Sequence, residues 1–115
     1  MKPSNSQRSL KVLFVCLGNI CRSPLAEAAL RDIAARRKLS IMVDSAGTGN
    51  WHEGNAPDSR ACDVAMRLGG LDISMLRARQ LSIKDFDRFD HIIAMDDSTL
   101  AHVLAMMPIG SAAQT

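Results

Sequence analysis

Hydrophobic and polar positions change rhythm several times along the chain, and the changes divide it into alternating strands and helices. Val12 to Val15 is an unbroken apolar run, the mark of a strand buried on both faces, and the strand is read over Lys11 to Cys16. Ala26, Ala29, Leu30 and Ile33 then recur at helical spacing. That helix is expected to start with Ser23 as N-cap and Pro24 at the first helical position, where a missing N–H is harmless. Arg36, Arg37 and Lys38 close it in keeping with its C-terminal dipole. A second strand is read over Ser40 to Ser45, followed by a Gly- and Asn-bearing loop from Ala46 to Pro57. Asp58 is the expected cap of a second helix, with Ala61, Val64, Ala65 and Leu68 as its buried stripe and Gly69-Gly70 as its stop. Leu71 to Leu81 shows no period. Ser82 and Asp85 stand at capping-box spacing ahead of a short helix. A third strand covers Asp90 to Met95. A last helix, capped by Asp96 or Asp97, buries Leu100, Val103, Leu104 and Met107 before Pro108 halts it.

Strands alternating with helices predict an α/β fold: a three-layer, doubly wound parallel sheet with helices on both faces. Such sheets bind ligands beyond the carboxyl ends of their strands, where the strand order reverses, and the loop after the first strand falls at such a point. The length of 115 residues suits one domain, read over 11–115 behind a polar, disordered tail of residues 1–10. A 47% hydrophobic and 23% charged composition is ordinary for a soluble globular protein. The net charge of +2 is too small to argue for nucleic acid, though it mildly favours anionic ligands. No apolar run reaches the ~18 residues of a membrane span. Three cysteines without a secretory signal point to reduced thiols in the cytoplasm.

The chemistry gathers between the first strand and the first helix. Cys16 and Arg22 are separated by Leu17, Gly18, Asn19, Ile20 and Cys21. Five such residues can curl so that their N–H groups converge on an anion, and the helix behind them adds its partial positive end. Arg22 can then clamp two phosphate oxygens through its planar fork. A thiol in that field is a nucleophile placed for in-line attack on phosphorus, and Ser23 can hydrogen-bond its sulfur. Gly18 and Asn19 suit the positive φ of such a loop. A lone cysteine on a strand-to-helix turn reads as a buried structural residue; Cys-x₅-Arg-Ser in this setting reads as a phosphate site. Cys62 falls on an apolar stripe and reads as core. His52, His91 and His102 have no ligand spacing, so no metal is expected.

The stretch from Val15 to Pro24, followed by Ala26-Glu27-Ala28, resembles the signature of the low-molecular-weight protein tyrosine phosphatases. The similarity continues through Asp44 to Thr48, Trp51-His52, Gly54 to Asp58, Arg60-Ala61, Ala78 to Gln80 and Ala94 to Asp96. The resemblance implies that Cys16 is the nucleophile, that Arg22 binds the phosphoryl group and that Ser23 assists the thiolate. The backbone from Leu17 through Gly18, Asn19, Ile20 and Cys21 would form the cradle, with Asn19 holding its shape. Cys21 either protects the nucleophile from over-oxidation by pairing with it or is a small filler in the loop. Trp51 either lines the pocket against a substrate ring or is a packing residue. The implied reaction needs no cofactor and passes through a phosphocysteine. Its substrates are phosphotyrosine proteins and small aryl phosphates, with inorganic phosphate as product.

Two departures qualify the resemblance. Leu76 stands where the family has a histidine that braces the phosphate loop, so Asn19 is expected to lose a partner and the loop some rigidity. The family's general acid lies in an Asp-Pro loop, and no Asp-Pro occurs among these 115 residues. The chain is therefore read as a shortened form without the last strand and helix. It is expected to be slow on phenolate leaving groups and open to self-association along the third strand's exposed edge. Asp96 and Asp97 are weak candidates to replace the acid. A phosphate- or phosphopeptide-binding module without turnover is the alternative function, with arsenate reduction behind it.

Overall fold

The structure, a computed structural model, describes residues 9–115. Along the chain run β1 (Leu10–Cys16), α1 (Arg22–Arg36), β2 (Ile41–Gly47), α2 (Ser59–Gly69), α3 (Asp85–Arg88), β3 (His91–Ala94) and α4 (Asp97–Met106). Residues 1–8 of the expected tail lie outside the described residues, and Leu10 already belongs to β1. Among the described residues no helix is long and apolar enough to cross a membrane.

The three strands are parallel in the order β2-β1-β3. Strand order therefore reverses at β1, and β1 ends on Cys16. Side chains alternate across a strand, so the register of Val12 with Val43 and Phe14 with Ser45 puts these residues on the face that α1 covers. Leu13, Val15, Ala46 and Ile92 face the other way. There they pack with Phe86 of α3, Phe89 and Val103 of α4 into the main core. A second cluster, Ala61, Ala65 and Ile73 with Leu25 and Ala28, joins α2 to the flank of α1.

The helix caps behave as local chemistry predicts. Asp58 accepts from the Arg60 amide at 2.8 Å, and Gly70 ends α2 in the left-handed region. Asp96, rather than Asp97, caps α4 by accepting from the Thr99 amide at 2.7 Å. The carboxylate of Asp85 receives the Ser82 amide at 2.8 Å.

Faces and ends are corrected in five places. α1 begins at Arg22 with Cys21 as its cap, because the Ser23 hydroxyl is turned inward toward Cys16 and Asn19. Pro24 then lies third in the helix, still among the N–H groups that lack an intrahelical partner. The buried side of α1 holds Ser23, Pro24, Glu27 and Ala34, whereas Ala29 and Ile33 are exposed and Ala26 and Leu30 half-buried. Polar partners on the strands have rotated the helix away from its apolar stripe. Leu68 on α2 and Leu104 on α4 point to solvent, 79% and 49% exposed. β2 runs two residues beyond Ser45, since Gly47 pairs with Cys16 and exchanges hydrogen bonds with Arg79 and Leu81. β3 is shorter than read, with Asp90 and Met95 only bonded to β1 from outside the strand.

Both sheet edges carry a guard. The Gln114 N–H donates to the Asp90 carbonyl at 2.9 Å, and its carbonyl accepts from Ile92 at 2.8 Å, so the expected open edge of β3 is occupied at its start. On the β2 edge, the Arg31 guanidinium donates to the Val43 carbonyl at 2.7 Å. Leu13→Ala is expected to cost about 2–5 kcal/mol in urea unfolding and Leu68→Ala under about 0.5 kcal/mol. Comparable losses at the two positions would contradict the assignment of faces.

Candidate active site

The loop after β1 is shaped by its carbonyls. Those of Cys16 and Leu17 accept from the amides of Thr48 and Gly49, each at 2.9 Å. Those of Ile20 and Cys21 accept from Asp58 at 2.7 Å and Leu25 at 3.3 Å. A trans peptide sets each C=O opposite the next N–H. Four carbonyls drawn outward therefore turn the amides of Leu17, Gly18, Cys21 and Arg22 to the concave side. Ile20 is half-buried between them. This is an anion nest at the head of α1.

Cys16 sits at the floor, 4% exposed. Its Sγ lies 2.9 Å from Ser23 Oγ and receives the Asn19 amide at 3.2 Å. The main chain of Asn19 takes the left-handed conformation, φ 58°, as expected. Gly18 does not. It is needed for close approach, because a Cβ there would stand 3.0 Å from His52 Cδ2. Gly47 has the same constraint from the other side: a Cβ would lie 2.8 Å from the Leu17 carbonyl oxygen.

The Asn19 side chain spans three segments. Its Nδ2 donates to Ser23 Oγ at 2.8 Å and Ser45 Oγ at 2.9 Å, and its Oδ1 accepts the Arg79 amide at 2.9 Å. Both its N–H groups are used, and its oxygen has one partner. The loss expected from Leu76 does not leave the oxygen bare: a main-chain amide holds it, and Leu76 packs against the cluster of Ala61, Ala65 and Ile73. Arg79 is itself anchored. Its guanidinium forks onto buried Asp85 with two 3.0 Å bonds and reaches Asp44 at 3.2 Å. Burial opposes its charge, but the two carboxylates outweigh burial and raise its pKa.

Behind the loop, Ser45 Oγ donates to Glu27 Oε1 at 2.6 Å, and Arg31 pairs with Glu27 Oε2 at 2.5 Å. At the rim, Arg22 Nη2 meets Asp96 Oδ2 at 2.7 Å. That hydrogen bond raises the Arg22 pKa. Asp96 is lowered to about 2, first by the Thr99 amide it caps and then by Arg22. Cys21 is exposed at the mouth, and Cys62 is half-buried with its Sγ 3.8 Å from the Pro57 carbonyl. Trp51 is 69% exposed, its ring laid over Gly49 so closely that no Cβ fits there.

The structure thus brings Cys16, Leu17, Gly18, Asn19, Ile20, Cys21, Arg22 and Ser23 into one cradle and leaves Trp51 on the neighbouring loop. Sequence reasoning did not single out Ser45, Glu27, Arg79, Gly47 or His52 for any part in it. All five lie in the stretches that resemble the family, and Glu27 carried a further signal, a charge four residues from both Ser23 and Arg31 on one helical face.

A carboxyl lowered by folding adds stability above its unfolded value of 3.8 and loses it as pH falls toward about 2. Asn can still cap α4 but cannot attract Arg22. Urea unfolding should therefore find Asp96→Asn less stable than the wild type at pH 5–7, with the gap closing between pH 4 and 2. A gap that persists at pH 2 would contradict this origin.

Comparison with known proteins places this geometry. A family profile described as low molecular weight phosphotyrosine protein phosphatase matches residues 11–114. The Schizosaccharomyces pombe low molecular weight phosphotyrosine protein phosphatase is 46% identical over 110 residues, 93% of this chain and 69% of that protein. The Bacillus subtilis low molecular weight protein-tyrosine-phosphatase YfkJ is 48% identical over 99 residues, 84% of this chain and 63% of that protein. The crystal structure of YfkJ superposes with a TM-score of 0.82 over 86% of this chain and 63% of that chain. The protein tyrosine phosphatase of Entamoeba histolytica does so with a TM-score of 0.84 at 40% identity, over 90% of this chain and 67% of that chain. The chain spans about two thirds of the length of these relatives, and it belongs to the low molecular weight phosphotyrosine protein phosphatase family.

Proposed function

We propose that this chain hydrolyses phosphotyrosine and small aryl phosphates through a phosphocysteine at Cys16. The observation that carries the reading is the Cys16 sulfur, beside Ser23 Oγ and the Asn19 main-chain amide, at the floor of a ring of amides with Arg22 at its rim. The amides of Leu17, Gly18, Cys21 and Arg22 hold the non-bridging phosphoryl oxygens, and Arg22 exchanges Asp96 for two of them. The sulfur attacks phosphorus in line as the P–O bond to the aryl group breaks. Ser23 donates to the sulfur when it leaves again. Water then attacks the phosphocysteine, releasing inorganic phosphate and restoring the thiolate. Trp51 offers its exposed face to the substrate ring.

Protonation of the leaving oxygen is the demanding step. Asp96 is ill suited to it, because a carboxyl held at about 2 is ionised at neutral pH and already shared between Thr99 and Arg22. Phenolate, from a phenol of pKa about 10, leaves poorly unaided. Missing general acid catalysis costs about 10²–10⁴-fold. The 115-residue chain therefore favours activated aryl esters over phosphotyrosine. A reducing, cytoplasmic setting suits its free thiols. Self-association is proposed along the part of the β3 edge that Gln114 leaves uncovered.

A binding module without turnover is the second reading, since the same ring of amides with Arg22 would hold an oxyanion whether or not the sulfur attacks it. Rapid-quench kinetics separate the two. With p-nitrophenyl phosphate, one equivalent of phosphoenzyme should form at Cys16 and be abolished by Cys16→Ser. Across a series of aryl phosphates, kcat/KM should fall about tenfold or more for each few units of rising leaving-group pKa. Oxyanion binding without any phosphoenzyme would establish the binding module instead.

A further inference from the structure

Hydrogen-bond direction around Cys16 is set from outside the cradle. The Arg79 main-chain amide is a donor only, so its 2.9 Å bond fixes which end of the Asn19 amide is oxygen. Nδ2 must then face the two serines, and both serine oxygens accept from it. Each hydroxyl has one proton to give. Ser45 gives its proton to Glu27 Oε1 at 2.6 Å, and Ser23 is left to give its own to the Cys16 sulfur at 2.9 Å. With the Asn19 amide, the sulfur then meets two donors and no acceptor, which suits a sulfur bearing negative charge.

The opposite direction is equally connected. If Ser45 and Ser23 both donated to Asn19, the amide would be turned over and the Cys16 S–H would point at Ser23. Two groups oppose this together. One is the Arg79 amide. The other is Glu27, 3% exposed, whose carboxylate accepts from Ser45 on one oxygen and from Arg31 on the other. A carboxylate has no proton to return, so Ser45 must remain an acceptor toward Asn19.

We propose that Glu27 is a positioning residue that, together with the Arg79 amide, fixes the direction of the Ser45–Asn19–Ser23 hydrogen bonds and so keeps Ser23 donating to the Cys16 sulfur. The proposal deepens the phosphocysteine reading and rests on it for its catalytic meaning, yet the thiol can be tested without turnover. Glu27→Gln keeps the shape but has one oxygen for two donors. With Arg31 claiming that oxygen, the amide nitrogen faces Ser45, which loses its acceptor, and only the Arg79 amide still opposes the reversed chain.

The test is the pH dependence of Cys16 alkylation by iodoacetamide, with the modified cysteine located by mass spectrometry and folding checked by circular dichroism. Glu27→Gln should move the profile to higher pH by about one unit. Adding Ser45→Ala removes the hydroxyl that transmits the reversal and should return the profile toward that of the wild type. If Glu27→Gln does not fold, the apolar pair Glu27→Leu with Ser45→Ala is compared with Ser45→Ala alone; both leave the same Asn19 N–H without its partner, and without the hydroxyl Glu27 has nothing to act through, so the two profiles should coincide. A folded Glu27→Gln with an unmoved profile, a shift that Ser45→Ala does not reverse, or an apolar pair shifted from Ser45→Ala alone would each overturn the proposal. Loss of ester hydrolysis by the wild-type chain with these outcomes intact would count against the hydrolytic reading alone.

Discussion

The side-chain amide of Asn19 is the point on which the rest of the site depends. It is 2% exposed, on a residue whose backbone is left-handed, and it bonds to three segments far apart in the chain. A buried amide left partly unpaired costs about 1–3 kcal/mol per lost partner. The loop therefore keeps its curl only while α1, β2 and the Arg79 segment are all in place. In this fold the cradle is less a loop motif than the meeting point of three elements.

That dependence explains which parts of the site were legible in sequence. The strand, the loop and the following helix are written locally, in an apolar run, a Cys-x₅-Arg-Ser spacing and a proline near the helix start. Asp58 and Asp96 were readable as caps for the same reason: a cap bonds an amide two or three residues away. The rotation of α1 was not readable. Its apolar stripe argues for one face, and Ser23 and Glu27 overrule it through partners on β1 and β2. Arg79 was invisible in another sense, since the group that meets Asn19 is its main-chain N–H, which nearly every residue possesses. The inference from Leu76 missed that donor, because a backbone N–H can hold a side-chain oxygen without leaving a trace in the sequence.

Charge in the interior follows one rule here. Asp85 is fully buried yet receives Arg79 and the Ser82 amide; Glu27 is nearly so and receives Arg31 and Ser45. Such pairs contribute little net stability compared with apolar packing, but removing one partner is costly. Their value lies in geometry. Each holds a polar group that in turn holds the loop, and among the described residues no buried side-chain nitrogen or oxygen lacks a hydrogen-bond partner.

The contact between Asn19 and Arg79 joins residues 60 positions apart, and the one between Lys11 and Asp90 joins residues 79 apart. Contacts of that span close late in folding and rest on segments that can open alone. The stretch around Arg79 has no strand or helix of its own; its guanidinium anchors, a few backbone bonds and the packing of Ala78 and Leu81 keep it docked. An opening there would release Asn19, so the cradle keeps its shape only for as long as that closure lasts.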